Sequence, residues 1–166
     1  MSPSKRKPPS PGRKSLSGAA PEPQHGEVIT ANPVEVLDER ECWELLELAP
    51  IGRIALAAAG EIDIFPISFV IDEGALYFRT APGTKLVELT INPQVAVEVD
   101  GWDEGEAYSV VVKGEAERLE RAVDIDAADA LPLVPLVPTL KYRWVRIRPT
   151  TVTGRRFRRG PEPERF

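Results

Sequence analysis

The sequence has very little of the two residue types that most often hold metals and transfer protons. Its 166 residues include one cysteine, Cys42, and one histidine, His25. One cysteine cannot form a disulfide within the chain, and no histidine lies near it, so we expect no metal site and a reducing compartment. His25 lies among proline and glycine residues near the amino terminus, which argues against a catalytic imidazole or a histidine haem ligand elsewhere.

Long hydrophobic runs are also absent. No uninterrupted apolar stretch reaches the roughly 20 residues that a membrane-spanning helix needs. The opening residues Met1-Ser2-Pro3-Ser4-Lys5 are not followed by an apolar signal segment. We therefore expect a cytoplasmic protein without a membrane partner.

Charge is distributed unevenly along the chain. The formal net charge is −5, but residues 28–153 hold eleven cations and twenty-two anions, a net charge of −11. Such an acidic body repels nucleic acid, so no nucleic-acid partner is expected. Residues 1–27 are basic and rich in proline and serine. They are predicted to be a disordered tail, which is either a solvated leader or a weak polyanion-binding arm.

The rest of the chain is long enough for one domain, predicted at residues 28–157 and followed by a flexible tail at 158–166. Alternation and turn signals predict six strands at residues 51–58, 61–71, 75–80, 94–100, 108–119 and 142–149, the last continued at 150–153 after a break. Short helices are predicted at 38–48, 84–90 and 120–131. This pattern favours a mainly β fold, a closed or half-closed six-stranded antiparallel barrel with a few short helices. Apolar runs such as Val110-Val111-Val112 indicate a strand that is buried on both faces, and a homodimer would bury the second face.

One strand ends in side chains that suit an anion. An apolar strand ends at Arg79 and Thr80. A turn through a Pro-Gly pair then leads to Thr84 and Lys85. Cations, hydroxyl groups and free amides at one point can bind a phosphate. The alternative is that the two cations pair with acidic neighbours, namely Asp72, Glu73 or Glu88.

An ordered set of segments resembles a known family, the actinobacterial branch of the pyridoxamine 5′-phosphate oxidase-like, FMN-binding split-barrel proteins. The resemblance covers about residues 34 to 157. The segments that carry it are Ala49-Pro50-Ile51-Gly52-Arg53, Phe65-Pro66-Ile67-Ser68-Phe69, Phe78-Arg79-Thr80-Ala81-Pro82-Gly83-Thr84-Lys85-Leu86, Tyr108-Ser109-Val110-Val111-Val112-Lys113-Gly114 and Trp144-Val145-Arg146-Ile147-Arg148-Pro149. Their order along the chain is far more specific than any one of them.

The resemblance implies a homodimeric split barrel that holds FMN at the subunit interface. It implies a phosphate site at Arg79, Thr80, Thr84 and Lys85, with Phe78 on the same strand. It places the flavin ring beside Pro66, Ile67 and Ser68, although Pro66 could equally mark an edge strand and Ile67 the core. It also implies that Tyr108 and Ser109 lie on a strand that reaches the interface, and Trp102 and Trp144 are interpreted as core or interface packing.

Two departures from the family limit the function that can be carried over. Arg79 stands where nitroimidazole-reductase-like relatives have a histidine, and no second cluster matches the substrate-phosphate site of the vitamin-forming oxidases. No side chain stands out as an acid, base or nucleophile, so the catalytic residues are not assigned. The leading hypothesis is an FMN-dependent oxidoreductase that acts on a small organic substrate. The alternatives are a deazaflavin-dependent reductase and a non-catalytic flavin carrier or dimeric binding module; a haem-handling role rests on fold analogy alone.

Overall fold

A computed structural model describes residues 32–138 and 140–162, which belong to one compact unit, Ala31–Phe166. They are mainly antiparallel β-structure. The strands are β1 (Val34–Val36), β2 (Gly52–Ala58), β3 (Glu61–Ile67), β4 (Val70–Asp72), β5 (Ala75–Thr80), β6 (Gln94–Trp102), β7 (Glu106–Arg118) and β8 (Arg143–Arg158). The helices are α1 (Glu39–Leu48), α2 (Thr84–Ile91) and α3 (Ala122–Asp129). The basic tail predicted at residues 1–27 and the last four residues of the predicted carboxyl-terminal tail lie outside the described residues.

Helix α1 begins at the predicted capping box. The Asp38 carboxylate accepts a hydrogen bond from the Glu41 amide at 2.8 Å, and the Glu41 carboxylate accepts one from the Asp38 amide at 3.0 Å. Two amides that the helix itself cannot use are thereby satisfied. The helix buries Cys42 and Leu46 against the sheet and ends before Pro50. None of the three helices of the described residues is long and apolar enough to cross a membrane.

The strand order requires the sheet to curl. The order is β3-β2-β6-β7-β8-β5-β4, with β1 added beside β8, so β3 and β4 are the two edges. Only two residues, Ser68 and Phe69, separate the end of β3 at Ile67 from the start of β4 at Val70. Because three Cα–Cα steps span at most about 11 Å, the two edges must approach each other at this corner. The sheet therefore wraps into a barrel, as the sequence predicted.

The interior of the barrel is filled by every second residue of the strands. Val95, Val97 and Val99 of β6 and Val110 and Val112 of β7 are all buried. Val111 lies between the last two and is only half-buried, because its side chain points to the outer face. The single chain thus buries one face of this run, and the burial of the other face stays a prediction.

Several boundaries differ from the prediction. The strand predicted at residues 61–71 divides into β3 and β4 at the barrel corner, and β1 adds another short strand, so the described residues form eight strands. The last strand has no break after Pro149 and continues past the predicted end at Thr153 to Arg158. The β7–β8 register shifts between Lys113 and Gly114, and Pro149 pairs with Gly114 there, so a bulge accommodates the proline inside a long strand.

A second, smaller cluster lies on the outer side of β5 and β8, under α3. It is built from Ala75, Tyr77, Leu119, Ala128 and Trp144. The packing role predicted for Trp144 is confirmed, because its side chain is 2% exposed. Core packing of Trp102 is wrong, since this side chain is 72% exposed at the end of β6, and its packing at a subunit interface stays a prediction.

Candidate functional site

The connection between β5 and α2 offers hydrogen-bond donors and no negative charge in its first turn. Gly83 precedes α2, no side chain caps the helix, and its first turn contains no acidic residue. The amides of Leu86 and Val87 donate to the Gly83 carbonyl, which leaves the preceding amides without helical partners. A Cβ atom at Gly83 would meet no atom within 4 Å, so the space before the helix is open. This helix end can accept an anion.

Arg79 lies against an aromatic ring at the end of β5. It pairs with Trp144 across the β5–β8 ladder, and its guanidinium carbon is 5.1 Å from the centre of the indole ring. The indole is held in turn by Asp129 of α3, whose carboxylate accepts a 2.7 Å hydrogen bond from Trp144 Nε1. The Arg79 Nε atom is buried and has no hydrogen-bond acceptor among the described residues. A buried donor without an acceptor is unusual and marks a place where an acceptor would be favourable.

Lys85 is a half-buried cation beside two other aromatic rings. Its Nζ atom lies 4.8 Å from the centre of the Phe65 ring and 5.9 Å from that of Phe78. Burial lowers the pKa of Lys85, and the charge of Lys141 lowers it further. The ammonium group is therefore short of negative charge in its surroundings.

The acidic residues predicted as alternative partners do not pair with these cations. Neither Arg79 nor Lys85 forms an ion pair with a carboxylate in the part of the chain that the structure describes. Glu88 lies one turn beyond Lys85, but burial and the neighbouring Asp63 carboxyl raise the pKa of Glu88. Glu88 therefore does not neutralise Lys85, and its own Oε2 atom is buried without a hydrogen-bond donor among the described residues.

The alternation of β5 separates residues that the sequence placed at one point. Phe78 and Thr80 face the barrel interior and are buried, whereas Arg79 faces outward onto Trp144. The Thr80 hydroxyl donates to the carbonyl of Ala81 at 3.2 Å. Thr84 is exposed in the first turn of α2. Arg79 and Lys85 therefore approach the start of α2 from the two sides of the strand.

The segment predicted to hold the flavin ring is the end of an edge strand. Pro66 is exposed and pairs with Arg53, Ile67 is buried and pairs with Gly52, and Ser68 is half-buried at the barrel corner. An edge strand leaves part of its backbone without ladder partners. Phe65 of the same strand contacts Lys85, so this segment adjoins the β5–α2 connection.

Tyr108 and Ser109 lie apart from that connection, on β7. The Tyr108 ring covers Gly101, where a Cβ atom would come within 2.6 Å of a ring carbon. Tyr108 lines a pocket of about 300 Å³ together with Trp102 and Arg156. Ser109 lines a neighbouring pocket of about 450 Å³ on the outer face. In the single chain, these two residues do not meet the phosphate-site candidates.

The structure also reveals a polar row that the sequence reasoning missed. The Ser109 hydroxyl lies 3.3 Å from the Glu98 carboxylate, and Arg53 donates to Glu98 at 3.3 Å and to Asp100 at 2.7 Å. These side chains share the outer face of β2, β6 and β7, and Arg53 pairs with Pro66. The strict alternation of β6 predicted that Glu98 and Asp100 lie on one face. The pairing of strands far apart in sequence brought Arg53 and Ser109 to them.

Comparisons with known proteins agree with this architecture. A family model described as pyridoxamine 5′-phosphate oxidase matches residues 38–156. The chain belongs to this family. Among curated proteins, an uncharacterised Mycobacterium tuberculosis protein is 42% identical over 88 residues, which are 53% of this chain and 80% of that protein.

Solved structures similar to this chain have the same fold. A Corynebacterium glutamicum protein, provisionally named pyridoxamine 5′-phosphate oxidase, is 45% identical with a TM-score of 0.73, over 80% of this chain and 98% of that one. A Mycobacterium smegmatis protein named an FAD binding protein is 41% identical with a TM-score of 0.65, over 74% of this chain and 98% of that one. The predicted mainly β split-barrel fold is confirmed.

Proposed function

We propose that this family member binds a flavin nucleotide and uses it as an oxidoreductase on a small organic substrate. The observation that carries the proposal is the pair of cations, Arg79 and Lys85, which lack described carboxylate partners beside an uncapped helix start. In a chain whose body has a net charge of −11, such cations are conspicuous. The M. smegmatis relative, which is named for FAD binding, supports a flavin as the ligand.

The residues fit the phosphate of such a ligand. The Arg79 guanidinium has a buried Nε without an acceptor, and Lys85 contributes a point charge. The exposed hydroxyl of Thr84 and the free amides of the first turn of α2 add neutral donors. Thr80 ends β5 beside the proposed phosphate site, but its hydroxyl proton is already donated to the Ala81 carbonyl. A phosphate would relieve the burial cost of both cations at once.

The flavin ring would lie along the edge strand. Backbone groups of Pro66, Ile67 and Ser68 at the barrel corner can bond the polar edge of the ring, and Phe65 connects this segment to the phosphate site. Phe78 supports Lys85 from the interior. We propose FMN as the flavin, because Arg79, Thr84 and Lys85 form a single phosphate site. FAD and a deazaflavin are the alternatives that a comparison of affinities distinguishes.

A bound flavin supplies one-electron or two-electron transfer, and the chain's own residues bind and orient it. Arg53, which pairs with Pro66 across the β2–β3 ladder, already bonds Glu98 and Asp100. These carboxylates are thus neutralised by a cation. That observation favours, as a second candidate, a non-catalytic flavin carrier. Turnover of an electron acceptor above the rate given by free FMN would exclude it.

We further propose that the active form is a homodimer joined through the outer face of β7 and β8. A pocket of about 450 Å³ there is lined by Val111, Ser109, Phe157 and Val36, and Val36 is 77% exposed. A second copy would cover these apolar side chains. Association through this face would also bring Ser109 to a subunit boundary, which agrees with the implication of the family resemblance that this strand reaches the interface.

A flavin titration tests the proposal. The purified protein should quench FMN fluorescence with a dissociation constant of about 1 μM or below, which corresponds to about 8 kcal/mol. Arg79→Ala should weaken binding and retain the fold, because the cation adds little to the core. Arg118→Ala is the matched control, since Arg118 is an exposed cation at the end of β7. A protein that stays colourless and quenches no flavin would contradict the proposal.

A further inference from the structure

We propose that Asp129, the last residue of α3, is a positioning residue that holds Arg79 in place through the indole ring of Trp144. Asp129 touches no part of the proposed flavin site itself. The effect on flavin affinity rests on the proposed function, whereas the effect on the conformation of Arg79 does not. The inference extends the site to a helix that contributes none of the proposed ligand contacts.

Helix α3 is attached to Trp144 from both of its ends. Just before the helix, the Leu119 amide donates a 3.0 Å hydrogen bond to the Trp144 carbonyl. At the other end, the Asp129 carboxylate accepts the 2.7 Å hydrogen bond from Trp144 Nε1. Ala128 is the buried residue of α3, and no other α3 side chain bonds to a strand in the part of the chain that the structure describes. The orientation of the indole is therefore linked to the carboxyl end of α3.

The carboxylate of Asp129 is unfavourable for the helix alone. A negative charge in the last turn opposes the helix dipole, and this turn contains no basic residue. The hydrogen bond from the indole N–H to the charged carboxylate offsets that cost. Asp126 lies on the same helix, is exposed and makes no such bond to a strand. The chemistry of Asp129 is thus directed to Trp144, and Asp126 offers a control.

The indole in turn determines the position of the Arg79 guanidinium. Arg79 and Trp144 are direct partners across the β5–β8 ladder, so their side chains share one face of the sheet. The guanidinium carbon lies 5.1 Å from the ring centre, while the buried Nε atom has no acceptor among the described residues. The ring is therefore the contact that orients the cation. An indole without its Asp129 acceptor can turn about its side-chain torsions, and the stacked guanidinium would lose its support.

Flavin titrations of single and double variants of the full chain test the link. Asp129→Leu should weaken FMN binding by about 3- to 10-fold, the factor that one cation–π contact supplies. In an Arg79→Ala background, Asp129→Leu should cause no further loss, because the cation that it positions is gone. Asp129→Asn should recover most of the affinity, since its amide oxygen still accepts the indole N–H. Asp126→Leu should bind FMN like the unchanged protein.

NMR of the flavin-free, isotope-labelled protein separates this role from the proposed function. Asp129→Leu should shift the indole N–H resonance of Trp144 and the Nε–H resonance of Arg79, and Asp126→Leu should shift neither. An unmoved Arg79 resonance in Asp129→Leu overturns the proposal whether or not the protein binds FMN. An equal affinity loss in the Arg79→Ala background, or an Asp129→Asn variant as weak as Asp129→Leu, overturns it as well. If the unchanged protein binds no flavin, the proposed function fails, and the Arg79 resonance still decides the positioning role.

Discussion

Lys85→Met should separate binding from stability, because the lysine is placed where its charge serves a ligand and not the fold. The substitution keeps an unbranched side chain of similar length and removes the ammonium group that lies 4.8 Å from the Phe65 ring. The lost cation–π contact is worth about 0.5–1 kcal/mol. A methionine sulfur on the same rings returns about 0.3–1.5 kcal/mol. The ring contacts therefore cancel to within about 1 kcal/mol.

The lysine also carries an electrostatic penalty in the folded protein that methionine does not have. Its charge is half-buried and lies near that of Lys141, and both effects lower the pKa of Lys85 in the folded protein. A cation whose pKa is lowered on folding destabilises the folded state at every pH below its folded-state pKa. Without flavin, the free energy of unfolding of Lys85→Met should therefore equal or exceed that of the unchanged protein. This advantage should shrink as the pH rises through the folded-state pKa towards 10.5, the ordinary value for lysine.

Urea unfolding followed by tryptophan fluorescence measures the stability, and FMN titration measures the binding. FMN affinity should fall by about 10- to 100-fold, the loss expected for one charged hydrogen bond. A flavin-free variant that is less stable by more than about 1 kcal/mol, yet binds FMN normally, would refute the reasoning. Lys85 would then be a structural residue that merely caps two aromatic rings.

Three further substitutions test the interface, the bulge and an ion pair. Val111→Lys should convert a dimer to a monomer in light scattering and keep the fold, because the half-buried side chain lies on the outer face. Gly114→Ala should destabilise the protein by about 1–3 kcal/mol in urea unfolding, because its Cβ would lie 2.4 Å from the Arg148 carbonyl oxygen. Glu117→Gln should cost less than about 1 kcal/mol at neutral pH, and the difference should vanish in acid. Although burial raises the pKa of Glu117, hydrogen bonds from Arg146 and Arg148 lower it, so its contribution is full above the ordinary value of 4.5 and is lost as the pH falls through the folded-state pKa.

The first two of these substitutions have a matched control. Val123→Lys, at a residue that is 60% exposed on α3, should leave the oligomeric state unchanged. Gly105→Ala should be tolerated, because the only atom near its added Cβ is an Asp103 side-chain oxygen at 3.8 Å. A dimeric Val111→Lys, a fully stable Gly114→Ala or a Glu117→Gln whose deficit persists in acid would each contradict the corresponding argument.

The sequence alone determined the features that depend on local chemistry. The capping box at Asp38 and Glu41, the alternation of β6 and the helix start after Pro82-Gly83 all follow from neighbouring residues, and all are present. The ordered segments also predicted the family, since their types and order need no coordinates. The bulge that lets β8 continue past Pro149 was missed, because it depends on a register with β7 that lies about 35 residues away in sequence.

Only the tertiary structure decided which side chains share a face. Residues 79 and 80 are adjacent in sequence, but a strand directs them to opposite sides, so Arg79 meets Trp144 while Lys85 meets Phe65 and Phe78. The β5–β8 register brought Trp144 to Arg79, although the two residues lie 65 positions apart in the sequence. The sequence could name the charges of the phosphate site. Their grouping depends on strand pairing, which is a long-range property of the fold.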